Sequence, residues 1–442
     1  MQKILYLEIL GSVSDKGFSL DELVLKTKEL FEREGMPGFV SLILSLVDEQ
    51  LCIDLMRGES RFSHAPCCER PRYEAHDRRD RSFRTSVGDV ELRWRRVRCK
   101  NCGRGFIPLR EFLGVDAYQS KSNELERVVT EVVSEQSYRR SSDHLLRIGE
   151  IPVPKSTLHR WVAQSDCDEL VWPRGLRFLL ADGSGYKRRP DPERELNNRG
   201  EVRVALGVNN RGATVALGAW SGKSWEEIGA DLNRSRGRRA KAGLLVSDGE
   251  AGLAEGLSDL ANGHQRCHWH MARDLNHTLW EDESPKPERD AYGGRLRGIL
   301  GLELPVDCVE PVREDDKSLI SARIKEAERQ LDKLAGEFFL KGYVKASGYV
   351  NRARKNLFAN LRLWLKCGII GPRASSLIER MMREIGRRLK RIAFGWSEQG
   401  AAKMARIVIK RFSSAKQWDA YWLKKLRIED KVMLVYRGAH VK

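Results

Sequence analysis

Three carboxylates in this chain occupy positions from which acidic side chains can share metal ions. Asp182 ends the apolar run LRFLLA and precedes Gly183, Ser184 and Gly185, so its side chain should emerge where a buried strand gives way to loop. Asp248 repeats the arrangement after GLLVS, with Gly249 next. Carboxylates at the ends of neighbouring strands converge, and converging oxygens bind hard divalent cations. Two Mg²⁺ ions roughly 4 Å apart would activate a water or hydroxyl nucleophile and stabilise the leaving oxygen of an in-line phosphoryl transfer. A third carboxylate is then expected on a helix packed across the sheet edge. The segment SSLIERMMREIGRRLKRI has helical periodicity, and its Glu379 precedes Arg380, Arg383, Arg387, Arg388 and Lys390, cations suited to a phosphate backbone. Glu384 lies on the same helix, but five residues turn it to another face, which favours Glu379. Each acid has an ordinary alternative: an Asp before Gly is also a turn former, and Glu379 is also one surface charge among many.

Two further constellations carry ligand chemistry. His64-x-x-Cys67 and Cys99-x-x-Cys102 are ligand pairs separated by a basic hairpin, the spacing of a zinc ribbon, with Cys68 as an alternative donor. The competing reading is a ribbon without metal, its thiols packed in a small core. Arg93, Arg95, Arg96 and Arg98 flank the hairpin, where they could meet phosphates or simply be solvated. Cys267 and His270 bracket His268 and Trp269, an incomplete set for zinc. His270 is expected to hydrogen-bond near a reacting phosphate, with Cys267 buried to position the turn; a satisfied core histidine is the alternative. Trp220, Trp225 and Trp280 could stack on bases, but core packing is their default.

The elements that must position these residues follow from pattern. Residues 1–56 read as a helical N-terminal domain, with apolar Leu20, Leu23, Val24 and Leu30 and a hydrophobic stretch from Val40 to Leu46. Residues 57–115 form a basic β module of two strands around a Val87-Gly88-Asp89 turn. Residues 120–170 read as a helix-turn-helix: one helix stopped by Gly149, Pro152 and Pro154, the next capped by Ser156 or Thr157. Leu158, Trp161 and Val162 form the buried stripe of that second helix, leaving Lys155, Thr157, His159 and Arg160 to enter a major groove. From Leu176 the pattern is α/β, three antiparallel strands, a helix from Trp225 to Asn233, a further strand, and a helix beginning near Ala251. After His270 the chain is mostly helical, with an acidic loop from Glu281 to Asp290 and an amphipathic segment from Ser321 to Leu340. The organisation is multidomain α/β, with residues 174–282 as the first part of a core, 283–370 as a helical insertion, and 371–442 as the helix of Glu379 and C-terminal helices.

Bulk properties are consistent with this. The 442 residues exceed what one core usually serves, and 79 Lys and Arg against 62 Asp and Glu leave a net charge of +17. Such a surplus favours a polyanionic partner, nucleic acid or an acidic membrane surface. No run of about 18 apolar residues offers a membrane span. The nine cysteines are scattered, as expected of reduced thiols, so a cytoplasmic, nucleoid-associated protein is expected.

Taken together, the chain from about His64 to Phe412 resembles the mutator-like DDE transposases of bacterial insertion sequences. ADGSGYK is similar to the first catalytic segment, SDGEAGLAEGL to the second, CHWHMARDL to the C-x-x-H segment, and SSLIERMMREIGRR to the segment of the last glutamate, with FGWSEQGA downstream. The resemblance implies an RNase H-like catalytic core in which Asp182, Asp248 and Glu379 form a Mg²⁺-dependent triad, the last delivered after a helical insertion. It implies cleavage at terminal inverted repeats of double-stranded DNA, strand transfer into target DNA, and a homodimer or higher oligomer to hold two ends. The chain departs from the family pattern where the first knuckle reads His64-Ala65-Pro66-Cys67 and where Ser375-Ser376 replace an Asn before the glutamate. A nuclease that cuts without joining would give no strand-transfer products. A DNA-binding protein with a silent core would bind ends and never cut them.

Overall fold

The computed structural model describes residues 19–59, 67–170, 172–195, 197–304, 313–391 and 394–428; His64 lies outside them. The chain divides into two compact units, residues 1–162 and 163–442.

In the first unit, α1 (Leu20–Glu29) starts at Ser19, whose side chain accepts the Glu22 N–H at 3.0 Å, and a π-helical turn leads into α2 (Met36–Arg57). Strands β1 (Tyr73–Thr85) and β2 (Gly88–Cys99) form an antiparallel hairpin, and the short β3 (Gly105–Phe106) pairs with β2. The turn sits at Ser86-Val87, one residue earlier than the sequence pattern suggests, because Gly88 already pairs with Thr85. Val40, Leu44, Val47 and Leu51 of α2 pack on Phe83, Val90, Leu92 and Trp94, with Leu109 of α3 (Pro108–Leu113). Their spacing of three and four puts them on one face of the helix, so α2 and the hairpin share one core.

Three amphipathic helices follow: α4 (Asn123–Glu135), α5 (Tyr138–Gly149) and α6 (Lys155–Gln164). Ser122 and Ser137 cap the first two, accepting from Leu125 N–H at 3.0 Å and Arg140 N–H at 3.4 Å. The α5–α6 turn is held by Ser142 Oγ donating to the Val153 carbonyl at 2.6 Å and by burial of Ile151 and Val153. Helix α6 begins at Lys155, so Ser156 and Thr157 lie inside its first turn and cap nothing. Pro154, which has no N–H to satisfy, supplies the carbonyl that accepts the Leu158 N–H.

In the second unit, β4 (Leu176–Lys187), β5 (Arg199–Asn209), β6 (Thr214–Ser221), β7 (Leu244–Ser247) and β8 (His264–Arg266) form one mixed sheet ordered β6-β5-β4-β7-β8. β4, β5 and β6 are antiparallel neighbours, while β4-β7 and β7-β8 are parallel. Helix α7 (Trp225–Arg236) makes the crossover and covers one face, where Trp225, Ile228 and Leu232 meet Leu179, Ala181, Ala205, Leu217 and Leu245. The helix expected near Ala251 is one turn, α8 (Leu253–Gly256), because Gly252 takes a left-handed conformation just before it.

Helices α9 (His268–Glu281), α10 (Lys286–Leu300), α11 (Glu314–Leu340), α12 (Val344–Ala353) and α13 (Ala359–Cys367) build a separate apolar core around Met271, Leu275, Leu296, Leu331, Phe338 and Phe358. The acidic stretch 281–290 is mostly helical, its connection only four residues long, because Pro285 starts α10. The chain then returns: α14 (Ser376–Leu389) packs on β4, and α15 (Glu398–Ser413) on β6, before α16 (Ala415–Leu426). Among the described residues no helix is long and apolar enough to cross a membrane.

Candidate active site

Ala181 and Ser247 are direct partners across the parallel β4-β7 pair, so Asp182 and Asp248 take the next position on strands about 4.8 Å apart. Side chains alternate along a strand, and Leu179, Ala181 and Leu245 point at α7. Asp182 and Asp248 therefore belong to the opposite face, and α14, which contributes nothing to the α7 cluster, packs against β4. Glu379 stands in the first turn of α14. Asp182 Oδ1 accepts the Gly183 N–H at 2.8 Å, and Asp248 Oδ1 the Glu250 N–H at 2.9 Å. Burial raises the Asp182 carboxyl to about 7, and the charges of Asp248 and Glu379 push the same way against the Gly183 N–H and His270. The Asp182 carboxyl thus sits where negative charge is poorly solvated and feels both other acids.

Neighbouring acids behave differently. Arg203 Nη2 lies 2.9 Å from Glu201 and 3.1 Å from Glu250, whose Oε1 also accepts the Trp225 indole N–H at 2.8 Å. These two carboxylates share the guanidinium of Arg203. Among the described residues no Lys or Arg pairs with Asp182, Asp248 or Glu379; their only ion-pair neighbour is His270, whose Nδ1 is 3.8 Å from Glu379 Oε1. Neighbouring acids without a paired Lys or Arg are positions from which carboxylates can take a divalent metal. Glu384 turns away and pairs with Arg387 at 2.9 Å.

Cys267 and His270 dock the start of α14. Cys267 is fully buried and His270 is 5% exposed. The Ser375 N–H donates to Cys267 Sγ at 3.3 Å, and the His268 N–H to the Arg373 carbonyl at 3.0 Å. Ser375 Oγ is 3.3 Å from both Cys267 Sγ and His270 Nδ1, and 2.9 Å from Glu379 Oε1. One hydroxyl proton serves one acceptor at a time, and Glu379 offers the shortest bond. Burial would raise the Cys267 thiol, but hydrogen bonds from His270 and Ser375 outweigh it and bring it down to about 7. Burial would lower His270, but Cys267 and Asp248 hold it above its usual value. The ligand atoms of Cys267, His270 and Glu379 lie within 4.8 Å of one another, so this trio could also hold a metal ion.

Sequence reasoning missed Arg266, which is 7% exposed at the end of β8. Its Nη2 bonds Tyr349 Oη of α12 at 2.9 Å and Asp274 of α9 at 3.4 Å. A Cβ on Gly249, the residue after Asp248, would fall 0.8 Å from Arg266 Nη1, and Gly249 has φ +86°. The glycine both makes the turn and clears a path for the guanidinium that joins the Asp248 loop to α9 and α12. Gly249→Ala should therefore cost about 2–5 kcal/mol, the sum of overpacking and a strained backbone; urea unfolding would measure it, and an unchanged midpoint would refute the close approach. The signal available in sequence was a Gly directly after a strand-end acid, which reads equally well as a turn.

In the first unit, Cys67, Cys68, Cys99 and Cys102 bring their sulfurs within 4.8 Å of one another, with Cys68 Sγ 3.8 Å from Cys99 Sγ. Tetrahedral coordination at about 2.3 Å per bond separates sulfurs by about 3.8 Å, so the four thiols fit zinc. Cys68, the alternative donor, stands in this set, while His64 lies outside the described residues. Cys99 is lowered to about 6, chiefly by the backbone N–H of Cys102, whereas burial raises Cys68 to about 12. Of the hairpin arginines, Arg93 is exposed 3.6 Å from Asp80, Arg96 lies 3.5 Å from Asp77, and Arg98 donates to the Gly103 carbonyl at 3.2 Å.

On α6, Leu158, Trp161 and Val162 are buried, Lys155, His159 and Arg160 exposed, and Thr157 half-buried; the His159 ring rests edge-on against Tyr138 at 5.2 Å. On α14, Arg380, Arg383, Arg387 and Lys390 are exposed. Arg388 is a correction: it is 1% exposed and lies 4.7 Å over the Trp396 ring, because it falls on the helix face with Met381 and Ile385.

The family model described as "Transposase, Mutator family" matches residues 23–300, more than half of the chain. The chain belongs to the Mutator family of transposases. The matched span includes Asp182, Asp248, Cys267 and His270, and Glu379 lies beyond it. A member of this family takes part in DNA transposition, binding DNA and acting as an enzyme that cuts and joins it. No curated protein matches this transposase in a whole-sequence comparison. A chain in the cryoEM structure of the simian T-cell lymphotropic virus intasome in complex with PP2A regulatory subunit B56 gamma aligns at 10% identity. The alignment covers 41% of this transposase and 71% of that chain at a TM-score of 0.15, too low to carry an argument about fold.

Proposed function

We propose that this transposase cleaves the phosphodiester at its element's ends and transfers the freed 3′ hydroxyl into target DNA, with Asp182, Asp248 and Glu379 as the catalytic carboxylates. The observation that supports the reading is that Asp182 and Asp248 hold adjacent positions across β4 and β7 on the face opposite α7, that the charges of Asp248 and Glu379 both act on the buried Asp182 carboxyl, and that among the described residues no Lys or Arg pairs with any of the three. These residues would hold two Mg²⁺ ions, which when bound supply nucleophile activation and stabilisation of the leaving oxygen. Ser375, Cys267 and His270 orient Glu379, and the exposed Arg380 and Arg383 attract the DNA backbone.

On this reading the sheet with α7, α14 and α15 is an RNase H-like core in two parts, residues 174–282 and 371–442, split by the helical insertion 283–370. Residues 57–115 are a zinc-ribbon-like module held by Cys67, Cys68, Cys99 and Cys102, residues 1–56 a helical N-terminal domain, and residues 120–170 a helix-turn-helix. Two ends must be held together, so a dimer or higher oligomer on DNA is expected. The test is incubation of purified protein with Mg²⁺ and DNA carrying the element's ends. Nicked ends together with joined products support the reading; nicked ends alone mean a nuclease, and binding without cutting means a silent core.

Recognition by α6 has its own test. Lys155→Ala with Arg160→Ala should weaken binding to duplex terminal repeats roughly five- to a hundredfold and make it less salt-dependent. Titration by fluorescence anisotropy at several salt concentrations measures both. Unchanged affinity would remove α6 from the interface.

A further inference from the structure

Helix α9 leaves the candidate active site with an uncovered face. Trp269 is 55% exposed and Trp280 60% exposed, while Trp225, Trp364, Trp418 and Trp422 are buried in cores. At 3.6 residues per turn the separation of eleven positions brings Trp280 back to within about 20° of Trp269, and Arg273 and His277 fall on the same side. The Arg273 guanidinium lies 5.2 Å over the Trp269 ring, and the His277 ring lies 5.6 Å from that of Trp280. A groove runs along this face, walled also by Asp274, which accepts from Arg273 Nε at 2.8 Å, and by Arg289 and Arg297 of α10. Its Trp269 end neighbours the candidate site: the Trp269 ring stands edge-on to His270 at 4.7 Å, and His270 is 3.8 Å from Glu379.

We propose that this groove binds an unpaired DNA strand beside the cleavage position, its bases stacking on Trp269 and Trp280 and its phosphates drawn by Arg273, Arg289 and Arg297. Exposed indoles interleaved with arginines are a stacking platform inside an electrostatic funnel, the combination that holds single strands without reading their sequence. A duplex offers these indoles no free base face. An apolar protein partner does not match three arginines. The two tryptophans are about 16 Å apart along the axis at roughly 1.5 Å per residue, room for a few nucleotides. That the strand lies next to a cut rests on the triad reading above; the binding itself does not.

The full-length protein, with no added Mg²⁺, would be titrated against labelled oligo(dT), an abasic oligomer of equal length, and a duplex, reading anisotropy and tryptophan quenching. Trp269→Ala and Trp280→Ala should each lose roughly five- to a hundredfold in affinity for oligo(dT), while duplex binding stays within about twofold. Trp269→Phe should retain most of the affinity, and the abasic oligomer should bind wild type about as weakly as the alanine variants bind oligo(dT). Both tryptophans are exposed, so circular dichroism should show the variants folded. The proposal fails if the alanine variants bind oligo(dT) like wild type, if duplex binding falls by the same factor, or if the abasic oligomer binds as tightly as oligo(dT). None of these readouts needs a bond to be cut, so a failed triad would leave them unchanged.

Discussion

Asp182→Asn, Asp248→Asn and Glu379→Gln should each abolish cutting of the element's ends while leaving end binding intact. Metal-assisted charge stabilisation supplies several kcal/mol, and each 1.4 kcal/mol is about tenfold, so a loss of roughly a thousandfold or more is expected from any one change. The substitutions keep shape and remove charge. Without divalent metal, Asp182→Asn also removes a buried carboxyl that burial and the charges of Asp248 and Glu379 disfavour in its ionised form, so its thermal midpoint should equal or exceed that of wild type. A denaturing gel and a melting curve on the same preparations separate the possibilities. If Glu379→Gln cuts normally, the third carboxylate is elsewhere; if it is silent but unfolded, the test moves to Ser375→Ala, which leaves the helix and removes only the hydroxyl that orients Glu379.

The second large effect is expected in the first unit. Wild type should carry one zinc per chain, and Cys99→Ser should lose it. Zinc bound to four thiolates stabilises small modules by about 10–16 kcal/mol in peptides, and here α2 already shares a core with the hairpin, so only part of that is at stake. A fall of roughly 10 °C or more in the melting of this unit is still expected. Metal analysis and calorimetry of the full-length chain would show it. Cys68→Ser should behave like Cys99→Ser, because Cys68 takes part in the sulfur cluster. Zinc-free wild type with an unaltered melt after chelation would make the cluster a packed core of thiols.

The chemistry-bearing residues were largely legible from local pattern. An apolar run ending in Asp and then Gly can be read without knowing the fold, but only Asp248 stands just past a strand end; Asp182 lies inside β4, which continues to Lys187 because Gly183 to Lys187 stay paired with β5. The stripe of Leu158, Trp161 and Val162 follows from helical period alone, and its burial agrees. Period could not show that Arg388 is buried: Met381, Ile385 and Arg388 share a face, and a charged residue on an apolar face is recognised only when Trp396 is found beneath it. The exposure of Trp280 was hidden for the converse reason, since tryptophan is by default a core residue.

By itself, the sequence determined the element types, the acids that follow the apolar runs, the cysteine knuckle Cys99-x-x-Cys102 and the basic surplus, all of which depend on residue type and spacing of a few positions. Tertiary structure alone decided which sulfur stands fourth with Cys67, Cys99 and Cys102, that Ser375 links Cys267 and His270 to Glu379, and that Arg266 passes beneath Gly249 to reach Tyr349. Those contacts join residues from 17 to more than 100 positions apart, and no local propensity carries information over such separations; the pairing of β1 with β2 gathers the cysteines, while the pairing of β7 with β8 and the return of α14 onto the sheet bring the other partners together.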